Sequence, residues 1–192
     1  MRIESIKSHL KGQTIMSRKS TFSAAFASAL APFDAYSREA VAQGIRDLGQ
    51  DPEGDLSCVY CGTEAATWDH VFSRVVNGEF SGHGHRVRNL VPCCRSCNER
   101  KGKRQWRSWL DIVAPGDAVE RASKIEHFLS HAAASPMTAE AMDAAAPAEY
   151  ERYREIRSQV FALMAEADAL AVTIRGKLVA AASDPVTQQQ KT

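Results

Sequence analysis

The 192-residue sequence predicts an α+β chain, mainly α, with a small cysteine-rich module set between N-terminal helices and a long C-terminal helix. Three observations predict this. All five cysteines fall between Cys58 and Cys97, in two C-x-x-C pairs and one extra thiol, so a short region is organised by ligand-type side chains. The segments before it are alanine-rich and punctuated by Pro32 and by Gly49 to Asp55, as helices and their breaks are. Far downstream, Tyr153, Ile156, Val160, Leu163, Ala167, Leu170 and Ile174 recur alternately three and four apart, which is helical spacing.

Taken in order, residues 1–20 are weakly patterned and read as an arm or short helix. Thr21 to Leu30 favours helix until Pro32 ends it. Asp34 to Leu48 reads as a second helix with Asp34 as N-cap and Tyr36, Val41, Ile45 and Leu48 inward. Within the module, Ala66 to Phe72 reads as a strand and Arg86 to Pro92 as its partner, with Asn77 to His85 a glycine-bearing loop between them. Arg95 to Leu110 reads as one helix whose buried side is Trp106, Trp109 and Leu110. Asp117 to His131 reads as a further helix with Val119, Ile125, Phe128 and Leu129 inward, followed by an Ala/Ser/Pro-rich connection to Pro147. The last helix runs from about Ala148 to Ala182, and its seam awaits another helix, the chain's own or that of a second subunit. The expected divisions are 1–55, N-terminal arm and helices; 56–112, the module; 113–183, a C-terminal helical region; and 184–192, a disordered tail.

Charge is uneven although the formal net charge is only +1. Residues 58–110 carry nine Lys/Arg against four Asp/Glu, while residues 111–192 carry eight against twelve. A basic centre suits a polyanion, and an acidic remainder argues against indiscriminate binding along the whole surface. The run from Met16 to Phe33 is too short and too broken by serines for a good signal peptide, and nothing approaches the ~20 apolar residues of a membrane span. A cytoplasmic protein with reduced thiols is expected, and so is no membrane partner.

Reduced, paired cysteines read as metal ligands. Cys58, Cys61, Cys94 and Cys97 supply the four sulfurs of a structural zinc site, with Gly62 permitting the knuckle's turn. Cys93 reads as a small buried side chain. The 32 residues between the pairs exceed the ~15–20 of a simple zinc ribbon, so something is inserted there. The insertion holds Asp69-His70 and, just before the second pair, Asn89-Leu90; Asn98 follows Cys97 directly.

That order resembles the HNH endonucleases, a ββα-metal nuclease family, over Cys58 to about Trp106. The resemblance implies that His70 is the general base, Asn89 fixes the loop joining the strands, and Asp69 and Asn98 hold a catalytic Mg2+ or Mn2+. It implies cleavage of nucleic acid, DNA before RNA. Physical chemistry supports these roles: histidine's unperturbed pKa of about 6.5 suits proton acceptance from water near neutrality, and magnesium takes one or two carboxylates with waters and substrate phosphate. Because neighbouring strand residues face opposite ways, Asp69 and His70 can share a site only where the strand bends or ends. Arg74, Arg88, Arg95, Arg100, Lys101, Lys103, Arg104 and Arg107 surround the motif and are the expected phosphate contacts. The competing reading is a zinc-organised nucleic-acid-binding module without catalysis. A homodimer or protein partner through the last helix is the remaining expected partner.

Overall fold

The computed structural model describes residues 3–132 and 136–182, so the tail expected at 184–192 lies outside the described residues. Contacts divide the chain into two units, Ser23–Ala145 and a second made of Met1–Phe22 with Ala146–Thr192.

In the Ser23–Ala145 unit, α1 (Lys19–Leu30) completes its course and α2 (Arg38–Asp47) follows. The N-cap of α2 is Ser37, whose hydroxyl accepts from the Ala40 N–H at 3.2 Å, and not Asp34. Asp34 is committed elsewhere: its carboxylate accepts from the Val87 N–H at 2.9 Å. A side chain engaged across the fold cannot also cap the nearest helix.

Strand β1 (Thr67–His70) is followed by a small hairpin, β2 (Val75–Val76) and β3 (Glu79–Phe80), and then by β4 (Leu90–Cys93). β1 and β4 pair antiparallel with Asp69 opposite Val91 and His70 opposite Leu90. Both strands are shorter than expected, because Val87–Asn89 forms a 3₁₀ turn and β1 stops at His70. The hairpin turns on Asn77 and Gly78, both at positive φ (55° and 84°), the backbone that a two-residue turn of the twist-matched type requires.

The helix expected from Arg95 to Leu110 is two helices, α3 (Arg95–Lys101) and α4 (Trp106–Val113). Gly102, at φ 50°, closes α3 by donating its N–H to the Asn98 carbonyl. α5 (Ala118–Ser130) buries Ile125 and Phe128, but Val119 is 86% exposed and does not face inward. A short α6 (Ala139–Ala145) with Met142 buried stands where a connection was expected.

The core joins the metal knuckles to the helices. Ile45 and Leu48 meet Tyr60, Val71 and Val91, and these continue into Trp106, Trp109, Leu110, Ile125 and Phe128, with Cys58, Cys93 and Cys97 in the same cluster. Each fully buried large side chain here contributes about 1.5–3 kcal/mol relative to exposure. Cysteine ligands and apolar core are therefore one cooperative body.

The second unit is built on α7 (Pro147–Ala182). Near the chain start, the 3₁₀ turn Ile15–Arg18 docks on α7 by donating the Ile15 and Met16 N–H groups to the Asp168 carboxylate at 2.7 and 2.9 Å. Lys19 Nζ lies 5.1 Å from the centre of the Phe161 ring. Of α7, Met164 alone is buried among the described residues. No helix among the described residues is long and apolar enough to cross a membrane.

Candidate functional site

Two tight turns bring four thiols together. Gly62, at φ 79°, donates its N–H to the Cys58 carbonyl at 2.8 Å and closes the first knuckle. Cys94 caps α3, its Sγ accepting from the Cys97 N–H at 3.4 Å. The ligand atoms of Cys58, Cys61, Cys94 and Cys97 all lie within 4.8 Å of one another, and the Cys61 and Cys94 sulfurs are 3.7 Å apart. A tetrahedral ion with Zn–S bonds of about 2.3 Å has sulfur–sulfur edges of about 3.8 Å, so the four sulfurs fit zinc. Cys93 is fully buried beside them, with its sulfur 3.9 Å from that of Cys58 and donating to the Cys94 carbonyl at 3.3 Å.

Asp69 and His70 stand at the end of β1. Asp69 is 6% exposed; its Oδ2 accepts from the Tyr60 hydroxyl at 2.8 Å and pairs with Lys101 Nζ at 2.9 Å. Lys101 is fully buried, and the same ammonium donates to the His70 carbonyl at 2.9 Å. Among the described residues, Asp69 Oδ1 accepts no hydrogen bond.

The His70 ring meets that of His85, with Nε2 and Nδ1 3.3 Å apart. Arg74 lies 2.9 Å from the other nitrogen of His85. A guanidinium only donates, so His85 Nε2 accepts; the proton of neutral His85 then sits on Nδ1 and points at His70 Nε2. Arg74 also donates to the Ser28 hydroxyl, which anchors this end of the chain of bonds on α1. The His70 pKa is lowered to about 4, first by burial and then by the positive charge of Arg74, by that of His85 when it is protonated, and by that of Lys101. Near neutral pH the ring is uncharged, and its one basic nitrogen, Nε2, accepts from His85 Nδ1–H.

Asn89 is 5% exposed, and its side-chain amide spans the loop between β1 and β4. Its amide oxygen accepts from the Phe72 N–H at 2.9 Å, and its NH2 donates to the carbonyls of Phe72 (3.1 Å) and Gly84 (3.0 Å). Asn98, one residue past the last zinc-type thiol, donates to Thr67 Oγ1 and the Trp68 carbonyl at 3.3 and 3.4 Å, and its amide oxygen accepts no hydrogen bond among the described residues.

The basic residues differ in environment. Arg95, Arg100, Lys103, Arg104 and Arg107 are exposed. Lys101 is removed from the expected phosphate contacts, because a fully buried ammonium paired with Asp69 cannot reach a strand outside. Arg88 is half-buried, bonded to Asp47 and to the Phe128 carbonyl, and lies over the Phe128 ring at 5.2 Å. Arg74 is engaged by His85 and Ser28.

The sequence alone marks no role for Tyr60 and shows His85 only as the end of a glycine-bearing loop. Tyr60 is inside the first C-x-x-C, where nothing marks it as the partner of Asp69. The loop with His85 is pinned, since His85 N–H donates to the Pro32 carbonyl (2.8 Å) and the Asp34 N–H donates to the His85 carbonyl (3.2 Å). Gly84 makes this possible: a Cβ there would stand 1.9 Å from the Pro32 carbonyl oxygen. The signal in the sequence was the Gly-His-Gly-His repeat, which needs close backbone approach to be read correctly.

No curated protein and no solved structure matches the chain at a significant level. The model of one family, described as HNH endonuclease, matches residues 58–104, the stretch from the first zinc-type cysteine to just past α3. Residues 58–104 are therefore similar to the HNH endonuclease family and are built around a four-cysteine site that fits zinc.

Proposed function

We propose that the chain is a metal-dependent endonuclease that hydrolyses phosphodiester bonds, with DNA as its main substrate. The observation that carries this is a half-buried His70 at the end of β1, hydrogen-bonded through its ring to His85 and inside the stretch that matches the nuclease family. His70 accepts the proton of the attacking water at Nε2, where the water takes the place of the His85 Nδ1–H that this nitrogen meets in the structure. Water oxygen bonds to phosphorus, the bond to the 3′ oxygen breaks, and that oxygen takes a proton from solvent, leaving a 5′-phosphate and a 3′-hydroxyl. Asn89 holds the loop that presents Arg74 and His85 to the site, and Arg74 is the cation best situated to meet a phosphate next to His70. Asp69 Oδ1 and Asn98 Oδ1 are open oxygens of the hard type that Mg2+ or Mn2+ takes, and they are the proposed ligands. When bound, such an ion supplies Lewis-acid charge opposite the developing phosphorane and the leaving oxygen.

The structural ion would act indirectly, by fixing the start of α3 and with it Asn98. Plasmid incubated with the purified protein should be cut when Mg2+ or Mn2+ is present. His70→Ala should lose cutting by at least the 10²–10⁴-fold typical of a general base, with zinc content and helicity unchanged. Cutting by His70→Ala at the parent rate sinks the assignment.

A second reading, a zinc-organised nucleic-acid-binding module without catalysis, draws on one observation: Lys101 already neutralises Asp69. Retardation of labelled DNA in a gel, without cleavage at any divalent-ion concentration tried, would favour it. Parallel panels of single- and double-stranded DNA and RNA decide the substrate.

A further inference from the structure

We infer that α7 is a self-association helix, and that it pairs antiparallel with α7 of a second copy of this chain. The inference does not depend on the nuclease reading. On a helix, successive residues advance by about 100°, which puts Ile156, Leu163, Leu170, Ile174 and Leu178 inside one arc of about 80°. They are 40%, 63%, 56%, 57% and 65% exposed. Met164 and Asp168, which receive the N-terminal 3₁₀ turn, lie roughly 80–120° around the helix from Ile156. The chain's own arm thus covers a different face and leaves the aliphatic stripe bare.

That stripe runs over about 33 Å of helix. A helix pair in contact along this length buries several hundred Å² on each side, on the order of the ~800 Å² per partner of a standard interface. Ile156, Leu163 and Leu170 are each one full heptad apart and Ile174 takes the other seam position, with Leu178 beside it, which is the kind of surface that a matching helix covers.

Charge selects the partner and its direction. Glu166 and Lys177 are exposed on the same flank of the stripe, and neither is ion-paired among the described residues. In an antiparallel helix pair, residues of the same flank face each other across the seam, whereas in a parallel pair opposite flanks do. Antiparallel pairing about residues 171–172 therefore sets Glu166 of each copy opposite Lys177 of the other, giving two symmetric ion pairs; the helices then overlap over residues 161–182, which covers Leu163, Leu170, Ile174 and Leu178 and leaves Ile156 beyond the seam. Parallel pairing in register opposes neither to an opposite charge. Self-complementarity of this sort is what a two-fold interface requires.

The test is the mass of the full chain in solution, by light scattering on a size-exclusion column and by sedimentation, across the micromolar range. The parent should behave as two chains, and Leu163→Glu/Leu170→Glu as one, with the helical circular-dichroism signal of the module retained. Glu166→Lys and Lys177→Glu should each weaken association about tenfold, since each exchanges two attractions for two repulsions, and the double variant should restore it. A parent that is monomeric throughout, or a dimer indifferent to Leu163→Glu/Leu170→Glu, overturns the inference. Equal association by the parent, both single charge variants and the double variant overturns the antiparallel arrangement.

Discussion

Lys101 shows how a single residue changes meaning between sequence and fold. In the run Arg100, Lys101, Lys103, Arg104 it is one more cation, and runs of that kind are usually solvated. In the fold its ammonium is sealed between Asp69 and the His70 carbonyl, with the Tyr60 ring 5.8 Å away. Removing one partner of a buried pair strands the other charge, which typically costs 3–5 kcal/mol. Lys101→Met, which keeps the aliphatic stem, should therefore lower stability by about that much in a urea titration. Asp69→Asn/Lys101→Met should recover most of the loss, because the stranded carboxylate is then gone. A Lys101→Met protein as stable as the parent would show that the pair is not buried in solution. The same residues mark the limits of sequence legibility. Paired cysteines and Asp69-His70 are legible because their chemistry demands fixed local spacing. Tyr60 and Lys101 are not, since their roles arise only when β1, the first knuckle and the end of α3 pack together.

At the scale of elements, the zinc-type site and the strands depend on each other. Val59 donates its N–H to the Pro92 carbonyl and Ala66 to the Cys93 carbonyl, so the first knuckle is stitched to β4 on both sides. Cys94 caps α3, and α3 carries both Asn98 and Lys101. Stripping the metal should then do more than free four thiols. With a strong zinc chelator, the module is expected to unfold at a lower temperature, and Trp106 and Trp109, buried in the same cluster as Cys97, should report this by a red shift of their emission. Readdition of Zn2+ under reducing conditions should reverse it. Emission and melting temperature that ignore the chelator would count against a structural ion. Element types were well read from periodicity, but their ends were not, for local reasons. Gly102 can adopt φ 50° and stop α3, where the basic pattern alone suggested continuation to Leu110. Asn77-Gly78 is a strong hairpin signal that lies between strands of only two residues, too short to show alternation.

At the scale of the whole molecule, the charge asymmetry of the sequence resolves into a smaller working set. Of the eight cations expected at phosphate, Lys101 is buried, Arg88 is tied to Asp47 and Arg74 belongs to the His85 chain. Arg107 pairs with Glu126 and lies over the Trp106 ring, and Arg100 and Arg104 have their guanidinium carbons 5.4 and 6.0 Å from the centre of the Trp109 ring. Arg95 and Lys103 remain exposed and unpaired among the described residues, one at each end of α3. Each phosphate contact on double-stranded DNA releases counterions and adds about 0.9 to the magnitude of the slope of log affinity against log salt. Arg95→Ala/Lys103→Ala should thus flatten that slope by roughly 2 and weaken binding alike on unrelated sequences. Lys101→Met, in protein kept below its unfolding midpoint, should leave the slope as it is. Binding titrations between low and moderate salt read both effects. An unchanged slope in the double variant would move the nucleic-acid face away from α3, and a flattened slope in Lys101→Met would return that ammonium to the surface.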